Sequence, residues 1–355
     1  MEHKVTLITG DGIGPEVAEA ARACVEASGA RIKWDVQEAG VHVFEKVGDP
    51  MPQKVIDSIR RNKVALKAPV TTPLGGGFRS VNVRLRQELD LYACIRPCKT
   101  IRGIKNAVEG VDIVIYRENT EDLYAGIEYE MGAQDTKKLI AFIKDTLGKD
   151  VRADSGISVK PISKYASERI VESAFEYAEK NSRMKVTAVT KSNIMKHTDG
   201  LFMQTAEAVA MRHPKSAYEH VLVDALCMKL VQNPLQFDVL VLPNLYGDIV
   251  SDLCAGLTGG LGISPGANIG GEYAVFEAVH GSAPDIAGKG LANPTALTLS
   301  AAMMLEHLGE RSAASKLRTA VEDVIAEGRH VTGDLNPKSA AKTVEMTQAI
   351  VEAMQ

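Results

Sequence analysis

Asp248 and Asp252 follow an apolar, strand-like run and stand four residues apart in Asn244-Leu245-Tyr246-Gly247-Asp248-Ile249-Val250-Ser251-Asp252. On a helix that spacing puts both carboxylates on one face, where exposed like charges repel by roughly a few tenths of a kcal/mol. A pair aimed into a cleft calls for a cation, and oxygen ligands with no Cys or His nearby favour Mg²⁺ or Mn²⁺ over Zn²⁺. Taken alone, the pair also describes a solvated helix face. Arg86, Arg96 and Arg117 offer the opposite chemistry. Arg86 lies beyond a glycine loop, Gly75-Gly76-Gly77, that runs into a helix, and Arg96 and Arg117 each end an apolar or strand-like stretch. Three guanidinium groups converging on a polyanion can each hold a carboxylate in bidentate fashion. Ser80 and Asn82 sit where the loop becomes a helix, a junction whose backbone amides attract anions. The alternative for each arginine is a surface ion pair. Tyr124 and Lys191 suit a proton donor and a proton acceptor facing each other across a cleft. Singly, each also suits packing or the surface.

Two loops invite a nucleotide. Gly10-Asp11-Gly12-Ile13-Gly14-Pro15 follows a strand and opens a helix, but Pro15 stands where a dinucleotide-binding turn needs its third glycine. A tight turn accounts for these glycines. His280-Gly281-Ser282-Ala283-Pro284-Asp285-Ile286-Ala287-Gly288-Lys289 is the better candidate, with small residues for close backbone approach and Asp285 to accept from a ribose hydroxyl. An acid there repels a 2′-phosphate and favours NAD over NADP. Asn293, just beyond, can read an adenine edge.

Short apolar runs alternate with helical patterns, which predicts an α/β protein with a largely parallel sheet. Strands are expected at 5–9, 32–37, 64–67, 112–117, 185–190, 221–224 and 239–243, and amphipathic helices at 15–27, 167–178, 201–211 and 296–308. Residues from about 125 to 163 hold few strand runs and one polar helical pattern, 136–147, and read as an inserted arm suited to exchange between subunits. Gly-rich 256–271 reads as a return crossing between domains.

The chain has 355 residues, enough for one large or two moderate domains. A net charge of -4 gives no basic footprint for nucleic acid or an anionic membrane, and no apolar run reaches spanning length, so small ligands are expected. Cys24, Cys94, Cys98, Cys227 and Cys254 are odd in number and scattered, which predicts reduced thiols and a cytoplasmic protein without a leader.

Together these segments resemble the β-decarboxylating dehydrogenases, the family of isocitrate, isopropylmalate, homoisocitrate and tartrate dehydrogenases, from Gly10-Asp11-Gly12-Ile13-Gly14-Pro15-Glu16 almost to the C-terminus. Ser80-Val81-Asn82-Val83-Arg84-Leu85-Arg86 resembles the isocitrate version, where Ser and Asn accompany the extra carboxylate and isopropylmalate enzymes carry apolar residues. The tract 237–256 is similar to NAD-dependent isocitrate dehydrogenases. The resemblance implies two α/β domains that are not a Rossmann fold: a discontinuous cofactor domain (1–91 and 259–355), a smaller substrate, metal and dimer domain (92–124 and 164–258), and a dimerisation arm at 125–163.

It further implies that Arg86, Arg96, Arg117, Ser80 and Asn82 hold isocitrate, that Tyr124 donates a proton, and that Lys191 assists deprotonation of the hydroxyl from the other subunit. Mg²⁺ or Mn²⁺ would be bound by Asp248, Asp252 and the partner's Asp224, in a homodimer with shared active sites or a higher homo-oligomer. NAD would lie against Thr72, His280, Gly281, Ser282, Ala283, Asp285, Ile286, Asn293 and Asp334. Where NADP-using members carry Lys and Tyr for the 2′-phosphate, this chain has Asp285 and Ile286. Glu121-Asp122-Leu123-Tyr124 follows the bacterial pattern, which suggests a bacterial homo-oligomer. The implied activity is NAD-dependent oxidative decarboxylation of isocitrate. Homoisocitrate or isopropylmalate oxidation, and a non-catalytic regulatory subunit, are the alternatives.

Overall fold

The computed structural model describes residues 2–71, 80–338 and 340–355; Thr72 lies outside them. The strands are β1 (His3–Ile8), β2 (Ile32–Gln37), β3 (Val64–Lys67), β4 (Ala93–Lys99), β5 (Asp112–Glu118), β6 (Glu128–Tyr129), β7 (Ile157–Ser158), β8 (Lys185–Thr190), β9 (Ala217–Leu222), β10 (Val239–Leu242), β11 (Pro265–Ile269) and β12 (Ala274–Ala278). The α-helices are α1 (Gly14–Ala27), α2 (Val41–Val47), α3 (Gln53–Asn62), α4 (Val81–Glu88), α5 (Gln134–Leu147), α6 (Lys164–Lys180), α7 (Asp199–Ala210), α8 (Val223–Gln232), α9 (Asn244–Thr258), α10 (Thr295–His307), α11 (Arg311–Glu327) and α12 (Thr343–Ala353). Among the described residues, no helix is long and apolar enough to cross a membrane.

Among the described residues, ten strands form one sheet in the order β2-β1-β3-β12-β11-β4-β5-β10-β8-β9, and β6 pairs with β7 apart from it. The expected parallel pairing holds in two blocks, β2-β1-β3-β12 and β5-β10-β8-β9. Between them β12, β11, β4 and β5 pair antiparallel, a departure from a simple alternation of strands and helices. The missing signal has a local cause. Arg96 and Pro97 interrupt the apolar run of β4, and β11 lies inside the glycine-rich tract read as a crossing.

Strands β3 and β10 are buried along their whole length, as expected of strands covered on both faces. Helices α1, α10, α11 and α12 cover one face of the first block, packing Val17, Leu297, Leu317 and Ile350 against Val5 and Leu66. Residues of α3 and α4 cover its other face through Ile56 and Leu85. The second block is sandwiched between α6 and α7 on one side, through Phe175 and Phe202, and α8 and α9 on the other, through Leu226 and Val250. Helix α10 is apolar almost all round and accordingly buried, with ten of its thirteen residues inaccessible.

One expected strand changes type. The run at 221–224 ends as a strand at Leu222, and Val223 opens α8, because Leu226 and Leu230 recur at helical spacing and are buried together. Asp224 therefore stands in the first turn of a helix.

Candidate active site

Arg86, Arg96 and Arg117 come from the last turn of α4, from β4 and from β5, and the fold buries all three to 9% exposure or less. Arg117 donates to Asn244 Oδ1 through Nε at 3.0 Å and Nη2 at 2.7 Å, and its Nη1 bonds Asp248 Oδ1. Burial lowers the proton affinity of Arg117 first, and the nearby charges of Arg86 and Arg96 lower it further, which places the three cations within one another's field. Arg96 Nη1 lies 3.4 Å from Asp248 Oδ1 and 3.6 Å from Asp252 Oδ1, and also bonds the Ser251 hydroxyl. Arg86 Nη2 reaches Glu277 Oε1 at 3.6 Å.

The local fold has a simple reason. A Cβ on Gly247 would stand 2.5 Å from Cγ and 2.6 Å from Cβ of Arg117, so only glycine lets α9 lie this close to β5. Because Pro243 leaves the start of α9 without a side-chain cap of its own, Asp122 Oδ2 accepts from Leu245 N at 2.9 Å from another element.

Arg86 and Arg96 line a cavity of about 130 Å³ together with Lys67, Asn82, Asn268, Glu277, His280 and Gly281. Three of its polar atoms, Arg86 Nε, Asn82 Oδ1 and His280 Nε2, are buried without a hydrogen-bond partner among the described residues. Such atoms are costly unless something fills the space. Ser80 occupies the N-cap of α4, next to this cavity's Asn82.

Tyr124 lies in a single 3₁₀ turn at Asp122–Ala125, donates from its hydroxyl to Asp248 Oδ2 at 2.5 Å, and carries the Arg117 guanidinium 4.7 Å above its ring. Burial, then the bond to Asp248, pushes its phenol above the usual range, which favours the protonated form. Asp248 is pushed up by burial but drawn down more by Arg117, Tyr124, Arg96 and Arg86. Asp252, pushed up by burial and by Asp248, ends above its ordinary value.

Lys191 and Asp224 do not join this cluster. Lys191 Nζ bonds Asp224 Oδ1 at 2.7 Å, with side-chain exposures of 25% and 65%. Among the described residues no three acidic, His or Cys side chains converge on a point. Within one chain, two carboxylates on α9 fit a hard cation and the third would have to come from elsewhere.

The nucleotide-loop candidates form a second group. Asn293 donates to Asp334 Oδ2 at 2.9 Å, which joins two distant stretches, and Thr71 Oγ1 and Ser282 Oγ are 2.6 Å apart. Asp285 and Ile286 lie in a short 3₁₀ turn, Asp285 exposed, after Ala283 at φ +38°. His280 bonds the Gly281 carbonyl through Nδ1 at 2.9 Å, and burial holds it below its usual range. The first glycine cluster supports this loop. Ile13 N donates to Ser282 O at 2.9 Å, and a Cβ on Gly12, at φ +58°, would lie 2.0 Å from that oxygen. Asp11 accepts from Val41 N and Thr71 N, each at 3.0 Å, and fastens two further loops.

The sequence profile of isocitrate/isopropylmalate dehydrogenases matches residues 4–350. The chain belongs to this family. It is 46% identical over 98% of its length to a mitochondrial NAD isocitrate dehydrogenase catalytic subunit 5 of Arabidopsis thaliana, covering 87% of that protein. It is 47% identical over 99% of its length to a mitochondrial regulatory subunit of NAD isocitrate dehydrogenase from Dictyostelium discoideum, covering 93% of it. The crystal structure of isocitrate dehydrogenase from Methylococcus capsulatus superposes with a TM-score of 0.92 at 48% identity, over 99% of both chains.

These relatives correct one expectation. Similar isocitrate dehydrogenase subunits are mitochondrial, which overturns the cytoplasmic assignment. Its premise was too weak: the five cysteines are free, as expected, but free thiols mark a reducing compartment and do not tell which one. Their names also describe subunits, so the family resemblance alone carries no homodimer.

Several residues of the site had no place in the sequence reading. Lys67 Nζ bonds Glu277 Oε2 at 2.6 Å, and Asn268 bonds Glu277 Oε1 at the same distance. Burial pushes the Glu277 carboxyl up, yet Lys67 and Arg86 hold it down at about 2. An ionisable residue inside an apolar strand run, as in Val64-Ala65-Leu66-Lys67 and Ala274-Val275-Phe276-Glu277, was the available signal. Asn244, which seats Arg117, carried none.

Proposed function

We propose that this dehydrogenase-family chain catalyses NAD-dependent, divalent-metal-dependent oxidative decarboxylation of isocitrate to 2-oxoglutarate and CO₂. The observation that carries the reading is the buried cluster of Arg86, Arg96 and Arg117 beside a cavity whose polar atoms include three without a partner among the described residues. Three carboxylates need such a cluster, and Ser80 with Asn82 suits the third better than an isopropyl group. In this reading the guanidiniums fix the substrate. Lys191 takes the hydroxyl proton as the C2 hydride passes to NAD held at His280–Asn293 and Asp334. The resulting β-keto acid loses CO₂ and leaves an enolate, which Tyr124 protonates. A Mg²⁺ or Mn²⁺ ion at Asp248 and Asp252 would supply electrophilic polarisation of the substrate oxygens.

The same proposal includes a homodimer or a higher homo-oligomer in which Lys191 and Asp224 serve the partner's site. Their pairing at the surface, away from Asp248, supports it. The domain division at 91/92 and 258/259 belongs to it as well, with the antiparallel β11 and β4 at the join.

Purified protein should form NADH from isocitrate only with Mg²⁺ or Mn²⁺; no NADH with either ion sinks the proposal. Tyr124→Phe should slow the overall reaction while sparing reduction of added oxalosuccinate, and an equal loss in both removes the proton-donor role. Mixing Tyr124→Phe and Lys191→Met chains should raise the overall reaction above that of either variant alone through one intact shared site, whereas no rise argues against sharing. The similarity to a regulatory subunit favours a second reading, ligand binding without turnover, and activity of the chain purified alone decides between them.

A further inference from the structure

One buried charged cluster takes no part in the chemistry above. Lys160, near the end of the 125–163 segment, places Nζ 2.7 Å from Asp199 Oδ1, 3.8 Å from Asp122 Oδ1 and 3.5 Å from the Tyr246 hydroxyl, over whose ring it lies at 4.4 Å. Both aspartates are fully inaccessible, and Lys160 is 13% exposed. Each carboxylate is also bonded to a segment that bears a chemical group. Asp122 accepts from Leu123 N at 2.8 Å, in the turn that carries Tyr124, and from Leu245 N at 2.9 Å, at the start of the helix that carries Asp248 and Asp252. Asp199 accepts from Lys191 N at 2.6 Å.

Asp122 adopts φ +68°, a backbone region uncommon outside glycine, and its N–H is tied to Pro161 O at 3.0 Å, one residue from Lys160. Side chain and backbone together hold it there. A surface-stability role needs none of this geometry, and two buried carboxylates without the lysine would be left unneutralised.

We propose that Lys160, through Asp122 and Asp199, is a positioning residue that keeps the proton-donor segment and the proton-acceptor segment in register. The inference rests on the roles proposed for Tyr124 and Lys191. If active sites are shared, the cluster joins the half-site that a chain keeps to the half-site that it gives away. A misplacement of about 1 Å at a reacting group can cost about 100-fold in rate.

The test is a kinetic split on the full-length protein. Lys160→Gln should lower kcat by about 10- to 100-fold, with KM for isocitrate within about threefold because Arg86, Arg96 and Arg117 are untouched. Lys160→Arg should restore most of kcat. Should Lys160→Gln fold poorly, Asp199→Asn keeps the shape of the cluster and should give the same split. Arg183→Gln breaks an ion pair with Asp112 and Asp238 that touches none of these segments, and should lower the urea midpoint while leaving kcat alone. Unchanged kcat in Lys160→Gln or Asp199→Asn overturns the inference, as does a kcat that falls only with the folded fraction. Wild-type turnover of isocitrate tests the proposed function. The variant-to-wild-type ratio tests this inference, and can be read on whichever family substrate the chain oxidises.

Discussion

The two halves of the candidate chemistry are built differently. Arg117, Asp248 and Tyr124 form a half in which the cation is 1% exposed, each group has at least one short polar contact, and the supporting glycine admits no side chain. Lys191 and Asp224 form a half whose charged side-chain ends pair with each other at the surface, with Asp224 65% exposed. A pair so exposed contributes about 0–1 kcal/mol to folding, whereas removing one partner of a buried pair costs about 3–5 kcal/mol. The first half is thus part of what holds the protein together. The second is free to be shaped by whatever it faces.

Arg117→Leu should break this contrast most severely if it is real. It leaves Asn244 Oδ1 without its donors and Asp248 with Arg96 and Tyr124, so unfolding in urea should show a loss of about 1–3 kcal/mol, and turnover should fall below detection in whatever folds. Lys191→Met should behave in the opposite way, with kcat lower by about 100- to 10,000-fold and a urea midpoint unchanged. Equal destabilisation by the two would erase the difference between the halves.

Glu277 sharpens the same comparison through pH. Its folded carboxyl sits at about 2, below the ordinary 4.5, so the stability it contributes is complete above about pH 4.5 and is lost as pH falls towards 2. Glu277→Gln should cost about 3 kcal/mol at pH 7 and flatten the acid limb of urea stability between those values. An acid limb identical to wild type would show that Lys67 and Arg86 do not hold this carboxylate in the folded protein.

The same physical division explains what the sequence could tell. Parallel strands such as β3 and β10, buried on both faces, are continuous apolar runs and stand out. The antiparallel join does not, because β4 must carry Arg96 and Pro97 and β11 must be glycine-rich. Arg86, Arg96 and Arg117 were legible as candidates for a shared cationic cluster, and their convergence is a matter of tertiary packing that no spacing states. Lys67 and Glu277 were visible only as misplaced charges in strands. Asp122, Lys160 and Asp199 are separated by up to 77 positions and meet only because Lys160 bridges the start of α7 to the turn at Asp122, which itself bonds the start of α9.

The smallest effect is expected at the proposed nucleotide loop, which resembles the presented half: Asp285 is exposed, and its turn is held by a backbone bond, Ile286 N to Ala283 O at 3.2 Å, and by the Lys289 side chain, Nζ to Asp285 O at 2.7 Å. Asp285→Lys with Ile286→Tyr replaces a charge that repels a 2′-phosphate by one that attracts it, without disturbing those bonds. The ratio of kcat/KM for NADP to that for NAD should rise by about tenfold or more, equivalent to about 1.4 kcal/mol, while KM for isocitrate and the urea midpoint stay put. A preference that does not move places cofactor choice elsewhere than Asp285 and Ile286. If preference and stability move together, the loop belongs with the buried half, and exposure is not what separates the adjustable parts of this protein from the fixed ones.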